Sequence, residues 1–297
     1  MKDSKNILRI ENLYKSYGDK LILDNVDLAV NPGEFCTLVG PSGCGKSTLL
    51  RLILGQEAAN SGSLKINNKQ VSFPDQDRGI VFQRYSLYPQ LTVLQNVLLG
   101  KNLTKQKWYL PWFKNDSDTE EAMRYLDILR LSDAAHKHPH ELSGGMQQRV
   151  AIAQALIMKP PILLMDEPFG ALDPDTREEL QIFLLELWDA KKLTIFFVTH
   201  DLEEACYLGS RMLVLSQYYQ DDRGNVERGA KIVADYQLPS VALSTEIKTS
   251  RAFQDLISTI RSEGFDPEVQ QHVKHFNLEH PDSFQTLLNE EYARSIP

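Results

Sequence analysis

Gly40-Pro41-Ser42-Gly43-Cys44-Gly45-Lys46-Ser47-Thr48 follows Glu34-Phe35-Cys36-Thr37-Leu38-Val39, a stretch rich in β-formers, and leads into apolar positions at Leu49, Leu50, Leu52, Ile53 and Leu54. Strand, glycine loop and helix in that order form the setting in which such a loop cradles phosphate. Gly40, Gly43 and Gly45 admit backbone conformations closed to other residues, so successive N–H groups can converge on phosphate oxygens at the positive end of a helix. Lys46 then reaches the β- and γ-phosphates of a nucleotide, and the Ser47 hydroxyl reaches Mg²⁺.

Two further stretches narrow the reading. Ile162-Leu163-Leu164-Met165 is a short apolar run of the kind that forms a parallel strand covered on both faces, and it delivers Asp166 and Glu167 to that strand's carboxyl end, followed by Pro168. Between the two, about a hundred residues after the glycine loop, stands Leu142-Ser143-Gly144-Gly145-Met146-Gln147-Gln148-Arg149. Ser143, Gly144 and Gly145 offer a hydroxyl and unhindered N–H groups, and a helix beginning near Met146 adds its positive end. These are anion-binding parts without a lysine, suited to closing over a γ-phosphate that another subunit already holds.

With these three motifs in this order, the chain resembles the ATP-binding cassette (ABC) ATPases, over roughly residues 7–215. The resemblance implies a P-loop NTPase (RecA-like) α/β core with an antiparallel β subdomain and an inserted helical subdomain. ATP and Mg²⁺ are then the cofactors, with Gly40, Pro41, Ser42, Gly43, Cys44, Gly45, Lys46, Ser47 and Thr48 around the nucleotide. It further implies that Asp166 holds Mg²⁺ through water and that Glu167 polarises the water attacking the γ-phosphate in line. Gln83 in Gly79-Ile80-Val81-Phe82-Gln83 matches a glutamine that contacts Mg²⁺ or the lytic water, and His200, closing Thr194-Ile195-Phe196-Phe197-Val198-Thr199-His200, matches the switch histidine on the γ-phosphate. Tyr17 corresponds to the aromatic that stacks on adenine, and Asp173 to the loop through which two cassettes sense each other. Ser143, Gly144, Gly145 and Gln147 act in trans, so that ATP joins two copies head to tail.

Composition sets bounds on this reading. The 297 residues are 42% hydrophobic, ordinary for a folded domain with an appendage. No apolar run approaches the ~18 residues of a membrane span, and the first residues lack a signal-peptide core, so any membrane-spanning part is expected on another polypeptide. The net charge of −8 argues against nucleic acid as a partner. Residues 201–297 hold nine lysines and arginines against sixteen aspartates and glutamates, so nearly all of that excess acid follows the switch histidine, where a solvated surface accounts for it. Cys36, Cys44 and Cys206 are too few for a disulfide framework and fit a reducing compartment, and a thiol reagent at Cys44 would block nucleotide.

Residues 1–235 are expected to form the nucleotide-binding domain, with a helical subdomain at about 84–158 carrying helices over 92–99 and 119–131, and residues 236–297 a helical extension. Within the extension, residues 250–263 carry Phe253, Leu256, Ile257 and Ile260 at helical spacing, closed by Gly264, and residues 282–294 repeat the pattern with Phe284, Leu287, Leu288 and Tyr292. Trp108-Tyr109-Leu110-Pro111-Trp112-Phe113 adds an aromatic cluster, read first as a loop folded on its own subdomain and second as a contact with a partner or membrane surface. His136, His138 and His140 lack a convincing fourth ligand and are not read as a metal site.

Asp166-Glu167-Pro168-Phe169-Gly170-Ala171-Leu172-Asp173, Leu91-Thr92-Val93-Leu94-Gln95-Asn96-Val97, and Leu238-Pro239 followed by Thr249-Ser250-Arg251-Ala252-Phe253 are similar to the nitrate, sulfonate and taurine importers. That branch implies a small anionic solute, a second copy of this chain, two copies of a transmembrane permease docked in a groove at Tyr85, Leu87 and Tyr88, and indirectly a periplasmic or lipoprotein solute-binding protein. Its place is the cytoplasmic face of the inner (plasma) membrane, peripherally. A non-transport or export-type cassette ATPase is the alternative; a small-molecule kinase would not need residues 142–149.

Overall fold

The computed structural model describes residues 6–83, 86–104, 116–223, 228–238, 248 and 250–286. Along the chain come β1 (Leu8–Tyr17), β2 (Lys20–Val30), β3 (Phe35–Val39), α1 (Lys46–Leu54), β4 (Ser61–Ile66), β5 (Lys69–Gln70) and β6 (Arg78–Phe82). Then follow α2 (Val93–Thr104), α3 (Asp116–Ile128), α4 (Gly144–Leu156), β7 (Ile162–Asp166), α5 (Pro174–Lys191), β8 (Ile195–Val198) and α6 (Leu202–Leu208). β9 (Arg211–Ser216), β10 (Tyr219–Gln220), β11 (Lys231–Gln237), α7 (Arg251–Phe265), β12 (Gln271–His272) and β13 (Asn277–Leu278) complete the described elements. Two compact units divide them, one of residues 1–75 and 185–297, the other of residues 76–184.

In the first unit, β3 has all five residues buried, as do the four of β8 and the six of β9. Strands covered on both faces favour near-continuous apolar runs, which is why these lack alternation, Thr37, Arg211 and Ser216 being their buried polar members. β3 lies between parallel β8 and β9, β11 runs antiparallel to β9, and β13 adds a parallel edge. A separate antiparallel layer has the order β2-β1-β4-β5. α1 ends where Gly55, at φ 77°, sends its N–H to the carbonyls of Arg51 and Leu52, and a Cβ there would meet the Phe73 backbone at 2.8 Å.

In the second unit, β6 and β7 pair in parallel, Arg78 to Ile162 through Phe82 to Asp166. Beside them α2, α3 and α4 pack together, burying Val93, Val97, Ala122, Leu126, Val150 and Ile152. The helices expected over 92–99 and 119–131 are present as α2 and α3, shifted by a few residues. Residues 108–113 lie outside the described residues.

The carboxyl-terminal part departs from an all-helical reading. α7 forms as the apolar spacing requires, with Ser250 capping it through its hydroxyl to the Phe253 N–H at 3.3 Å and with Phe253, Ile257 and Ile260 buried. Gly264 does not end it; the helix runs on to Phe265, and a Cβ at 264 would overlap Val214 of β9, so the glycine serves close packing. After α7 the chain adds β12 and β13 to strands of the first unit. Residues 282–286, the described part of the expected second helix, run without helical structure. The Thr286 N–H donates to Asp27 Oδ2 at 2.6 Å, Asn25 Nδ2 donates to the Thr286 carbonyl at 2.6 Å, and the Arg9 guanidinium covers Phe284 at 4.9 Å. Side chains of β2 thus satisfy backbone groups that a helix would have paired internally.

Candidate functional site

β3 leads straight into the glycine loop, and α1 begins at Lys46. A Cβ at Gly40 would overlap the Leu215 carbonyl, so β9 approaches the loop more closely than any other residue type permits. Gly43, at φ 78°, is there for its backbone angle, since the space above it is open. Lys46 is buried, 8% exposed, and its ammonium donates to the carbonyls of Gly40 at 2.7 Å and Pro41 at 3.0 Å. The loop's own oxygens thus hold the cation over the loop. Ser47 is exposed and Thr48 buried. Cys44 is buried, and burial raises its thiol pKa against the pull of Lys46, so the thiolate that a reagent attacks is scarce near neutrality.

Because β3 and β8 are parallel with Leu38 opposite Val198, the glycine loop and His200 leave the same carboxyl edge. His200 is exposed there, and Asp201 beside it caps α6 by accepting the N–H groups of Glu203 at 2.9 Å and Glu204 at 3.2 Å. Tyr17 is 44% exposed at the end of β1. Its hydroxyl donates to Glu57, and the Lys15 ammonium sits 4.9 Å from its ring. The Glu57 hydrogen bond raises the phenol's pKa, so Tyr17 remains a neutral ring suited to stacking on a base. Sequence reasoning missed Glu57, forty residues away, because nothing in local spacing marks it.

The second unit carries the other motifs. The register placing Phe82 opposite Asp166 sets Gln83 beside the Asp166–Glu167 turn, and a Cβ on Gly170 would stand 3.0 Å from Gln83 Nε2. Glu167 has φ 45°, a left-handed conformation unusual for a residue with a side chain and the sort of local strain that gathers at functional sites. Strand pairing therefore brings together Gln83, Asp166 and Glu167, which lie far apart in sequence.

Ser143 caps α4, its hydroxyl accepting from the Met146 N–H at 3.3 Å, and it is exposed. Gly145 is buried against α5, where a Cβ would meet Thr176 Cγ2 at 2.5 Å. Gln147 turns its carboxamide back, donating to the carbonyls of Pro139 at 3.0 Å and Leu142 at 3.3 Å, so it braces the loop ahead of the helix. Asp173 accepts the Thr176 N–H at 3.0 Å, which lowers its pKa; the cap is charged at neutral pH and is lost as pH falls through that lowered value. Tyr88 is 49% exposed while Leu87 is half-buried, and Tyr85 lies outside the described residues. Fully buried Asn96 anchors that stretch, accepting the Tyr88 N–H at 2.8 Å and donating to the Tyr88 carbonyl at 3.1 Å, a role its place in Leu91–Val97 did not disclose.

His138 and His140 stack with ring centroids 5.8 Å apart. Among the described residues, the carboxylates and imidazole that could hold a metal gather elsewhere, at Glu34, His280 and Asp282. Asn31 Nδ2 already donates to Glu34 at 2.8 Å and to Asp282 at 2.5 Å, and Arg211 to Glu34 at 3.1 Å. No helix among the described residues is long and apolar enough to cross a membrane.

The family profile "ABC transporter" matches residues 23–170. An aliphatic sulfonates import ATP-binding protein of Bacillus subtilis is 46% identical over 65% of this chain and 72% of its own length. A nitrate import ATP-binding protein of Synechocystis is 46% identical over 67% and 72%, and a bicarbonate transport ATP-binding protein from the same source 41% identical over 70% and 74%. Among solved structures, a subunit of an ABC transporter complex from Clostridium perfringens superposes with TM-score 0.68 at 25% identity, over 87% of this chain and 95% of that one. A dimeric bacterial ABC transporter cassette superposes with TM-score 0.63 at 33% identity, over 78% and 99%.

Proposed function

The chain belongs to the ATP-binding proteins of ABC transporters, and from that membership we propose that it is the ATP-hydrolysing subunit of an importer for a small anionic solute of the sulfonate, nitrate or bicarbonate kind. The observation that carries the nucleotide reading is Lys46 held over its own loop by the Gly40 and Pro41 carbonyls, at the strand edge from which His200 also emerges. The importer reading rests on the relatives, each an import or transport ATP-binding protein at 41–46% identity.

In this mechanism the N–H groups of residues 40–48 and the Lys46 ammonium bind the triphosphate, Tyr17 stacks on adenine, and His200 donates to the γ-phosphate. Glu167 orients the attacking water and accepts its proton, while Gln83 fixes that water's position. Ser143, Gly144 and Gly145 of a second copy close over the γ-phosphate, Gln147 bracing their loop, and Asp173 lies in the loop by which the copies sense each other. Ser47, Gln83 and, through water, Asp166 offer hard-oxygen donors of the kind that would hold Mg²⁺, which when bound would neutralise charge on the β- and γ-phosphates. Two permease subunits dock at the surface around Leu87 and Tyr88, a solute-binding protein delivers the solute on the far side, and the subunit works at the cytoplasmic face of the membrane.

Docking is tested by Tyr88→Asp. Co-purification with the permease from detergent extract is expected to fall at least tenfold, consistent with losing about 1.5–3 kcal/mol of apolar burial, while ATP binding by the isolated subunit stays near normal. Undiminished recovery of the permease moves the docking surface elsewhere.

A further inference from the structure

Beside Gly43 lies an open cleft of about 660 Å³, a size ordinary for a small-molecule site. One wall comes from the start of β2, with Lys20 and Ile22; the opposite one comes from the chain after β9, with Gln217, Tyr218 and Arg228. The glycine loop and Lys46 answer for phosphates, and this opposite wall has different chemistry. Tyr218 supplies a flat apolar face, and Gln217 a carboxamide able both to donate and to accept, which suits a base and a sugar better than a phosphate chain.

The opposite wall is held from behind by the carboxyl-terminal segment. Tyr219, fully buried next to Tyr218, donates its hydroxyl to Asp24 Oδ2 at 2.8 Å. Arg223 bridges Asp24 at 2.6 Å and Asp221 through its Nε at 2.9 Å, and Arg228 donates to the Tyr219 carbonyl at 2.8 Å. Onto this hairpin base β12 adds a parallel strand, Tyr219 opposite Gln271 and Gln220 opposite His272. Phe276 packs edge-on against the Tyr219 ring at 5.9 Å, and Asp222 accepts from Lys274 at 3.0 Å and faces His272 Nε2 at 3.2 Å.

We propose that Gln217 and Tyr218 form a sugar-and-base wall of the nucleotide cleft, and that residues 271–276 hold this wall in place, so that the carboxyl-terminal extension sets the affinity for the nucleoside end of ATP. The proposal rests on the ATP-binding reading above. Tyr218 and Gln217 contact the nucleoside directly, and residues 271–276 are the positioning residues that act through them.

Calorimetric titration of the full chain with ATP and, separately, with inorganic tripolyphosphate tests it. Tyr218→Ala and the double variant His272→Ala/Lys274→Ala are each expected to weaken ATP binding roughly three- to tenfold, as loss of one stacked aromatic contact would, and to leave tripolyphosphate binding unchanged. Tyr218→Phe restores ATP binding. Equal losses for ATP and tripolyphosphate in Tyr218→Ala, or no loss for ATP, overturn the wall; an unchanged ATP affinity in the folded double variant overturns its control by the extension. Should the double variant fail to fold, Asp222→Asn decides the link, with the same expected loss for ATP alone. Lys46→Ala serves as the separate control: if it binds both ligands normally, the phosphate-site reading falls, whatever Tyr218 does.

Discussion

The loops ahead of α1 and α4 are built from similar parts and end in opposite conditions. Both are glycine-rich, and both open a helix with no acidic residue in its first turn. Ahead of α1 no side chain caps the helix, Gly43 faces open space, and a buried lysine is folded over the loop. At the start of α4 there is no lysine, the Ser143 hydroxyl accepts the Met146 N–H, and Gly145 is pressed against Thr176. A loop with its own cation can hold a triphosphate by itself. A loop with only N–H groups, one hydroxyl and a helix dipole, worth about 0.3–1 kcal/mol at an exposed terminus, is too weak to do so and gains force only over a phosphate already bound. The contrast is the physical ground for the proposed head-to-tail pairing of two chains.

The sharpest test lies downstream of both loops. Glu167→Gln keeps the shape of the strained turn and removes the carboxylate, so ATP turnover is expected to fall at least ~100-fold with ATP affinity kept, since positioned acid–base groups contribute about 10²–10⁴-fold. Size-exclusion chromatography with Mg·ATP should then show a trapped dimer; parental turnover removes Glu167 from its role. Ser143→Arg should abolish hydrolysis while leaving nucleotide binding by one chain intact. In a mixture with Lys46→Ala chains at most one composite site is competent, so full recovery of activity breaks the contrast between the loops.

Lys46→Ala alone should weaken nucleotide binding roughly ten- to hundredfold by calorimetry, the worth of a charged hydrogen bond of about 1.5–3 kcal/mol. The smallest effect sharpens the other side. Gly145→Ala puts a methyl into Thr176 Cγ2 and should destabilise the fold by about 1–3 kcal/mol in denaturant titration. Adding Thr176→Ser removes that methyl and should return most of the loss; no recovery would assign the cost to the helix backbone.

Much of the site was legible because its chemistry is local. A strand, a glycine loop and a lysine occupy consecutive residues, and Ile162–Met165 announces a buried strand with carboxylates at its end. Glu57 behind Tyr17, Asn96 behind Tyr88 and the inward turn of Gln147 were not legible. Each joins segments through side-chain hydrogen bonds that leave no periodic trace in the chain.

The carboxyl-terminal extension divides the same way. Spacing at Phe253, Ile257 and Ile260 determined α7, because an amphipathic helix needs only a stripe of its own residues. The sequence alone likewise determined the family, the glycine loop and the order of the motifs along the chain. Tertiary structure decided that Gly264 is a packing glycine against Val214, that residues 282–286 run without helical structure beside Asn25 and Asp27, and that β12 backs the hairpin beside Gly43. Two-residue strands and irregular straps owe their conformation to partners elsewhere in the chain, and those partners exist in place only once the core has folded.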